Sequence, residues 1–250
     1  MIRNIKMTSD NYQLPELETV PKPAAVIESV ALLSLGLAVL SLFLFAWIAE
    51  SVSHDQTRQF DMAVRQAVHQ HSSPAMTKAM FAASFIGGNG LVIAAVLAMI
   101  LFLSLRWRRA ALWLLTTILG ALVLDLALKY AFHRPRPTPF FGNLPRTPSF
   151  PSGHALFSFC FYGVLAGLLA DRIRSLWLRI LIWACAAILV AAIGLSRIYL
   201  GVHYPSDVIA GYLTATLWVS TMIVLDHVRA KRKLGLPRPG SDSDDEDSGK

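Results

Sequence analysis

Apolar positions in this chain come in long unbroken runs, not in the alternating or one-faced patterns of a soluble fold. Residues 29–49 carry no charge for 21 positions. About 20 residues at 1.5 Å each cross the ~30 Å hydrocarbon layer of a bilayer. Residues 79–105 are uncharged for 27 positions, and the run at 110–124 continues past Asp125 to Leu128. Residues 155–170 and 180–195 give 16 each, and 208–225 give 18. The pattern predicts six membrane helices, so the fold class is all-α: a polytopic membrane helical bundle. The first run starts too late and is too long for a cleavable signal peptide, and no small-residue cleavage site follows it.

The shorter patterns divide the rest. Residues 1–24 form a polar N-terminal segment, 25–228 the six-span domain, and 229–250 a basic then acidic tail that is expected to be disordered. In 57–70, Phe60, Val64 and Val68 fall at helical spacing with Arg58, Asp61 and Arg65 elsewhere on the turn. That reads as a short helix lying on the outer surface, or as a plain connecting helix. Gly-Gly-Asn-Gly at 87–90 lacks the Lys-Ser/Thr of a phosphate loop and reads as a kink or a close helix contact. No internal repeat is visible.

Composition agrees with the runs. Hydrophobic residues make up 54% and charged residues 16%, against about 25% charged in a soluble domain. This excludes a disordered chain and a disulfide scaffold. The two cysteines, Cys160 and Cys185, lie in apolar runs and read as small hydrophobes. The net charge of +7 is uneven: the last ten residues hold five acids, leaving 22 bases and 11 acids in residues 1–240. Arg106, Arg108 and Arg109, then Arg172, Arg174 and Arg179, then Arg229, Lys231, Arg232 and Lys233 fall on one side of six alternating spans. The positive-inside rule makes that side cytoplasmic and puts both termini there. No surface interleaves bases with aromatics, so nucleic acid is not an expected partner. The other side still carries eight bases in 50–78, 129–154 and 196–207. Bases on the wrong side need a local reason.

Three clusters on that side supply one. Lys129, His133, Arg134 and Arg136 follow the third span; snorkelling would explain one cation, not several. Arg offers bidentate donors to phosphate oxygens, and Lys a point charge. Pro151-Ser152-Gly153-His154 precedes the fourth span, where Ser152 suits an N-cap and Gly153 allows close approach to the backbone. The free N–H groups of a helix N-terminus attract anions. Ser196-Arg197 and His203 to Asp207 join the last two spans. A carboxylate four residues after a His can hold one ring nitrogen and leave the other free to attack. Anion binders, a nucleophile with its orienter and a spare His suit phosphoryl transfer, where catalysis is mostly positioning and charge stabilisation. No residues have metal-ligand spacing, so no metal or other cofactor is called for.

These clusters resemble the signature of the PAP2 (type 2 phosphatidic acid phosphatase) superfamily: K-x6-R-P, P-S-G-H and S-R-x5-H-x3-D. They match as Lys129 with Arg136-Pro137, as Pro151 to His154, and as Ser196-Arg197 with His203 and Asp207. The resemblance covers about 76–228, with its core at 129–207. It implies that Lys129, Arg136 and Arg197 bind phosphate oxygens, helped by Ser152 and the Gly153 backbone. His203 would attack phosphorus and become a phosphohistidine, Asp207 would orient it, and His154 would protonate the leaving oxygen and then activate water. Arg134 is out of register and is read as a neighbour touching a diphosphate; Arg146 and His133 are read as substrate contacts only. Asp125, four residues before Lys129, is expected to hold that Lys in place.

The resemblance further implies a metal-independent lipid phosphatase in a bacterial inner membrane, with the site on the extracytoplasmic side. The absence of an Asn-x-Ser/Thr sequon agrees with that. Undecaprenyl diphosphate is the lead substrate; phosphatidic acid, phosphatidylglycerol phosphate and lipid A phosphates are alternatives. A lipid phosphotransferase, a vanadium haloperoxidase-like enzyme and a non-catalytic membrane binding protein are the competing readings. Nothing in the sequence speaks to the oligomeric state.

Overall fold

The structure is a computed structural model and describes residues 23–233; the polar N-terminal segment and the acidic tail lie outside the described residues. The helices are α1 (Pro23–Ser53), α2 (Arg58–Gln70), α3 (Pro74–Gly87), α4 (Asn89–Ser104), α5 (Arg108–Phe132), α6 (Gly153–Ser158), α7 (Val164–Ala170), α8 (Leu176–Tyr199) and α9 (Pro205–Lys233). A π-helical turn, Phe159–Gly163, joins α6 to α7 in one span. By length and composition α1, α5, α6–α7, α8 and α9 can each cross a membrane, and the bent pair α3–α4 brings the number to six if it crosses as one span.

The second span is kinked at the Gly-Gly-Asn-Gly stretch, one of the two readings of those residues. It bends by 42° between α3 and α4. The break frees the carbonyl of Ile86, which accepts a hydrogen bond from the Tyr162 hydroxyl of the π-helical turn at 3.0 Å. A backbone carbonyl freed in an apolar, lipid-facing setting needs such a partner.

Lipid tails are as apolar as Leu, so membrane helices bury small residues and turn large ones outward. In α1, Ser34, Ala38, Ser41 and Ala49 are buried while Leu33, Phe43 and Trp47 stay exposed. The small face packs along α9, where Ala210 meets Ala49 and Phe150. Away from the site, Leu91, Phe102, Leu114, Phe161 and Val164 fill a core between α4, α5 and the π-helical span. At the site end, Tyr199, Leu200 and Val202 pack against Val68, Met80 and Phe141. That cluster seats α2 and the loop after α5 on the α8–α9 connection.

The helix at 58–70 is present, and its inward face mixes charged with apolar residues. Asp61 and Arg65 are buried, and Phe60 is half exposed. The charged residues turn inward because their partners come from loops distant in sequence: Arg65 donates to the carbonyls of Thr138 and Gly201.

Candidate active site

The three motifs meet where the loop after α5, the start of α6 and the α8–α9 connection converge. Backbone bonds tie these segments together. Phe140 and Phe141 N–H donate to the Leu200 carbonyl at 3.0 and 3.2 Å, and Ser152 N–H donates to the Asp207 carbonyl at 2.9 Å.

His203 lies in the middle and is 1% exposed. Its Nδ1 faces Asp207 Oδ2 at 3.4 Å, and its Nε2 faces Arg136 Nη1 at 2.8 Å. Arg can only donate, so Nε2 must accept and carry no proton. The ring proton therefore sits on Nδ1, toward the carboxylate, and the lone pair of Nε2 faces the cations. Asp207 Oδ2 also accepts from Tyr204 N–H at 2.9 Å, which fixes the carboxylate. Burial pushes the His203 ring down to about 4, with Asp207 opposing and Arg136 and Arg197 reinforcing. The ring is thus neutral at physiological pH.

Arg136 is held by Thr147 and Pro148 carbonyls, Thr147 Oγ1 and the Val202 carbonyl. Burial lowers its pKa, against Asp207 and Asp125. Arg197 is 7% exposed and donates to Ser84 Oγ of α3. Lys129 Nζ pairs with Asp125 Oδ2 at 2.7 Å within the span. Gly153 faces that pair: a Cβ there would lie 3.0 Å from Asp125 Oδ1 and 3.2 Å from Lys129 Nζ. The tight approach explains why a residue without a side chain stands at 153.

His154, the first side chain of α6, turns its Nε2 toward the α3–α4 break. A Cβ on Gly88 would come within 3.0 Å of that nitrogen, so the glycine at the break leaves the imidazole its room. His154 is close enough to feel the charges of Arg197, His203, Arg136 and Lys129.

Ser152 occupies the N-cap position of α6, but its hydroxyl makes no capping bond. Its Oγ, Asp125 Oδ1 and Arg197 Nε are buried without a hydrogen-bond partner. Each such group typically costs about 1–3 kcal/mol. Of these, the Ser152 hydroxyl and the Arg197 Nε–H can donate to the oxygens of a phosphate.

Arg134, read from the sequence as a neighbour of the motif, stands beside the carboxylate that faces His203. Its guanidinium is shared among four partners. It is spent on Asp207 Oδ1 (2.6 Å), Asp61 Oδ2 (2.8 Å), Ser206 Oγ (2.8 Å) and Thr57 Oγ1 (3.2 Å). Burial disfavours its charge, but Asp207 and Asp61 outweigh that and raise its pKa. Breaking a buried pair of this kind typically costs about 3–5 kcal/mol. His133 is an exposed left-handed cap of α5 beside Tyr130, and Arg146 is exposed in the loop. The structure brings neither into the cluster. Sequence reasoning missed Asp61, Ser84 and Gly88. The one signal for Asp61 was an acid set among arginines in a loop region already too rich in bases.

Among the described residues, no group of three or more His, Cys, Asp or Glu could hold a metal ion.

Comparison with known proteins agrees with this arrangement. The PAP2 superfamily profile matches residues 110–231. Phosphatidylglycerophosphatase B of Bacillus subtilis is 28% identical over 180 residues, covering 69% of this chain and 86% of that protein. A lipid A 1-phosphatase of Rhizobium etli is 35% identical over 127 residues, 47% of this chain and 50% of that protein. An undecaprenyl-diphosphatase of Sulfolobus acidocaldarius is 32% identical over 126 residues, 48% of this chain and 56% of that protein. The chain thus spans about half the length of the latter two. In fold it is similar to the crystal structure of a transmembrane PAP2-type phosphatidylglycerolphosphate phosphatase from Bacillus subtilis. That match has a TM-score of 0.69 at 24% identity and covers 78% of this chain and 98% of that one. It is also similar to Aquifex aeolicus LpxE, with a TM-score of 0.52 at 25% identity over 67% and 95%. With the helical bundle and the converging motifs, these matches place the chain in the PAP2 superfamily, among its membrane lipid phosphatases.

Proposed function

We propose that the chain hydrolyses the phosphate of a membrane lipid through a covalent intermediate on His203. The observation that carries this reading is the tautomer: Asp207 holds Nδ1–H while the Nε2 lone pair faces Arg136. In the first step that lone pair attacks phosphorus. The bond from phosphorus to the leaving oxygen breaks, its electron pair stays on that oxygen, and His154 supplies the proton. In the second step His154 takes a proton from water, the water oxygen attacks phosphorus, and the N–P pair returns to His203 with release of phosphate. Lys129, Arg136 and Arg197 stabilise the charge on the phosphoryl oxygens, aided by Ser152 and the Gly153 N–H.

For the lipid, the reading is undecaprenyl diphosphate. It is supported by a relative of that name and by three cationic side chains, which suit a doubly charged head group. The site end of the bundle faces away from the cytoplasm of a bacterial inner membrane, with the termini cytoplasmic, on the charge bias of the loops. A cysteine at Asn143 should then label with an impermeant thiol reagent on intact cells; labelling only after lysis would reverse the topology.

Phosphate release from a panel of lipid phosphates in detergent tests the function. Undecaprenyl diphosphate should show the largest kcat/KM, above phosphatidylglycerol phosphate, phosphatidic acid and lipid A phosphate. A different leader would move the substrate. Transfer of the phosphate to an acceptor lipid would make it a phosphotransferase. No release from any member would overturn the enzyme reading.

A further inference from the structure

Asp61 belongs to none of the three motifs and lies on α2, outside the spans, yet it is completely buried. Both of its oxygens are engaged. Oδ1 accepts from Ser206 N–H at 2.9 Å, and Oδ2 accepts from Ser206 Oγ at 2.7 Å and from Arg134 Nη2 at 2.8 Å. Arg134 turns its other terminal nitrogen to Asp207 Oδ1 at 2.6 Å, and its plane rests on the Tyr204 ring, 4.2 Å from the centroid. The result is one buried line, Asp61–Arg134–Asp207–His203, running from the outer helix to the ring.

The charges along this line explain why two carboxylates share one guanidinium. His203 gains positive charge as its Nε2 bonds to phosphorus. Around it stand Arg136 from the loop after α5, Arg197 from α8, His154 from α6, and Lys129 with its partner Asp125 from α5. Among the described residues only Asp207 touches the ring with a negative charge. If Arg134 paired with Asp207 alone, the two would cancel and the ring would face cations only. With Asp61 on the other edge of the guanidinium, the trio of Asp61, Arg134 and Asp207 keeps a net charge of minus one. At short range in a buried setting such a charge is weakly screened.

We propose that Asp61, acting through Arg134, is a positioning residue that preserves the charge and orientation of Asp207 for the reaction at His203. This rests on the reading of His203 as the nucleophile. It makes α2, a helix outside the signature motifs, a working part of the site. It also accounts for a fully buried carboxylate on the inward face of that helix.

The test is Asp61→Asn in the full chain in detergent, alongside wild type, Asp207→Asn and the double variant, with thermal unfolding measured on each. Asn keeps the shape and can still accept from Ser206 N–H, but it removes the charge. For D61N, kcat should fall roughly 10- to 100-fold, the range seen when an orienting partner is removed, with KM within about twofold because the phosphate ligands are untouched. The acid limb of the pH–kcat/KM profile should move to lower pH, since the imidazolium loses negative charge nearby. In the D207N background, D61N should cost nothing further, because its effect passes through Asp207. Should D61N not fold, Arg134→Lys, which keeps one charge but cannot span both carboxylates, should give the same split. A wild-type kcat in D61N would overturn the proposal. So would a loss that follows the folded fraction, leaves the acid limb in place and adds in full to that of D207N. An absence of His203-dependent phosphate release in wild type would overturn the reading of the site, and the proposal with it.

Discussion

The two ends of this bundle both carry arginines and aspartates but use them differently. At the end away from the site, Arg109 pairs with Asp226 with 78% and 38% of the side chains exposed. Arg172 there lies over the Trp107 ring, 3.8 Å from its centroid. These groups stay in contact with water, so their attraction is screened and their geometry is loose. At the site end, Arg134 is 11% exposed between two carboxylates that are fully buried. There both terminal nitrogens of Arg134 meet carboxylates, and removing one leaves a charge stranded. The sequence shows bases at both ends. Only at the site end does a buried arginine link a carboxylate to His203, through Asp207.

The contrast can be broken from the site end first. His203→Ala should lower kcat by at least about 10⁴-fold, the scale seen when a nucleophile is deleted, while KM stays near the wild-type value. Retained turnover would remove the ring from the chemistry. Next, Lys129→Met should cost about 10²–10³-fold, as expected for a group that stabilises transition-state charge. Asp125→Asn should cost about tenfold, and the double variant should be little worse than Lys129→Met, because Asp125 acts through the 2.7 Å pair. Additive losses in steady-state kinetics would show two independent roles.

A pH profile sharpens the same point. Folding lowers the His203 pKa to about 4, so the ring stays neutral as the pH falls from 6.5 and is protonated only near 4. With the ionisation of the substrate subtracted, kcat/KM should hold between pH 6.5 and 5. A ring at the ordinary value would lose about 16-fold over that interval. The linked effect on stability has a definite sign. Between about 4 and 6.5 the unfolded chain binds a proton there that the folded chain does not, so this group makes stability rise with pH across that window. The smallest effect belongs to the opposite end: Arg109→Ala or Asp226→Ala should leave turnover unchanged and shift stability by less than about 1 kcal/mol in denaturant titrations.

Much of this was legible in the sequence, for identifiable reasons. Uncharged runs report the cost of burying charge in lipid, and that cost does not depend on neighbours, so the spans at 110–128 and 180–195 emerge as helices longer by a few residues at each end. The motif residues are local signals too, and Ser152, Gly153, Arg197, His203 and Asp207 all come to one place. Three features depend on neighbours and were not legible. A glycine at a break looks the same in sequence as a glycine at a packing contact, so the bend at Gly88 was only one of two readings. The burial of Asp61 on α2 was hidden because the helical pattern shows a polar position but not that Arg134 and Ser206, 73 and 145 residues away, receive it. For the same reason Arg134 could be read only as a neighbour of the motif, since nothing local shows that two carboxylates hold it.

The measurement that bears most directly on the account is a rapid quench of the enzyme with phosphate-labelled lipid, into base to preserve a phosphoramidate, followed by peptide mapping. The account predicts label on His203, bonded through Nε2, forming faster than phosphate is released and absent from His203→Ala. Label on His154, or full single-turnover phosphate release with no protein-bound label at any time point, would contradict it.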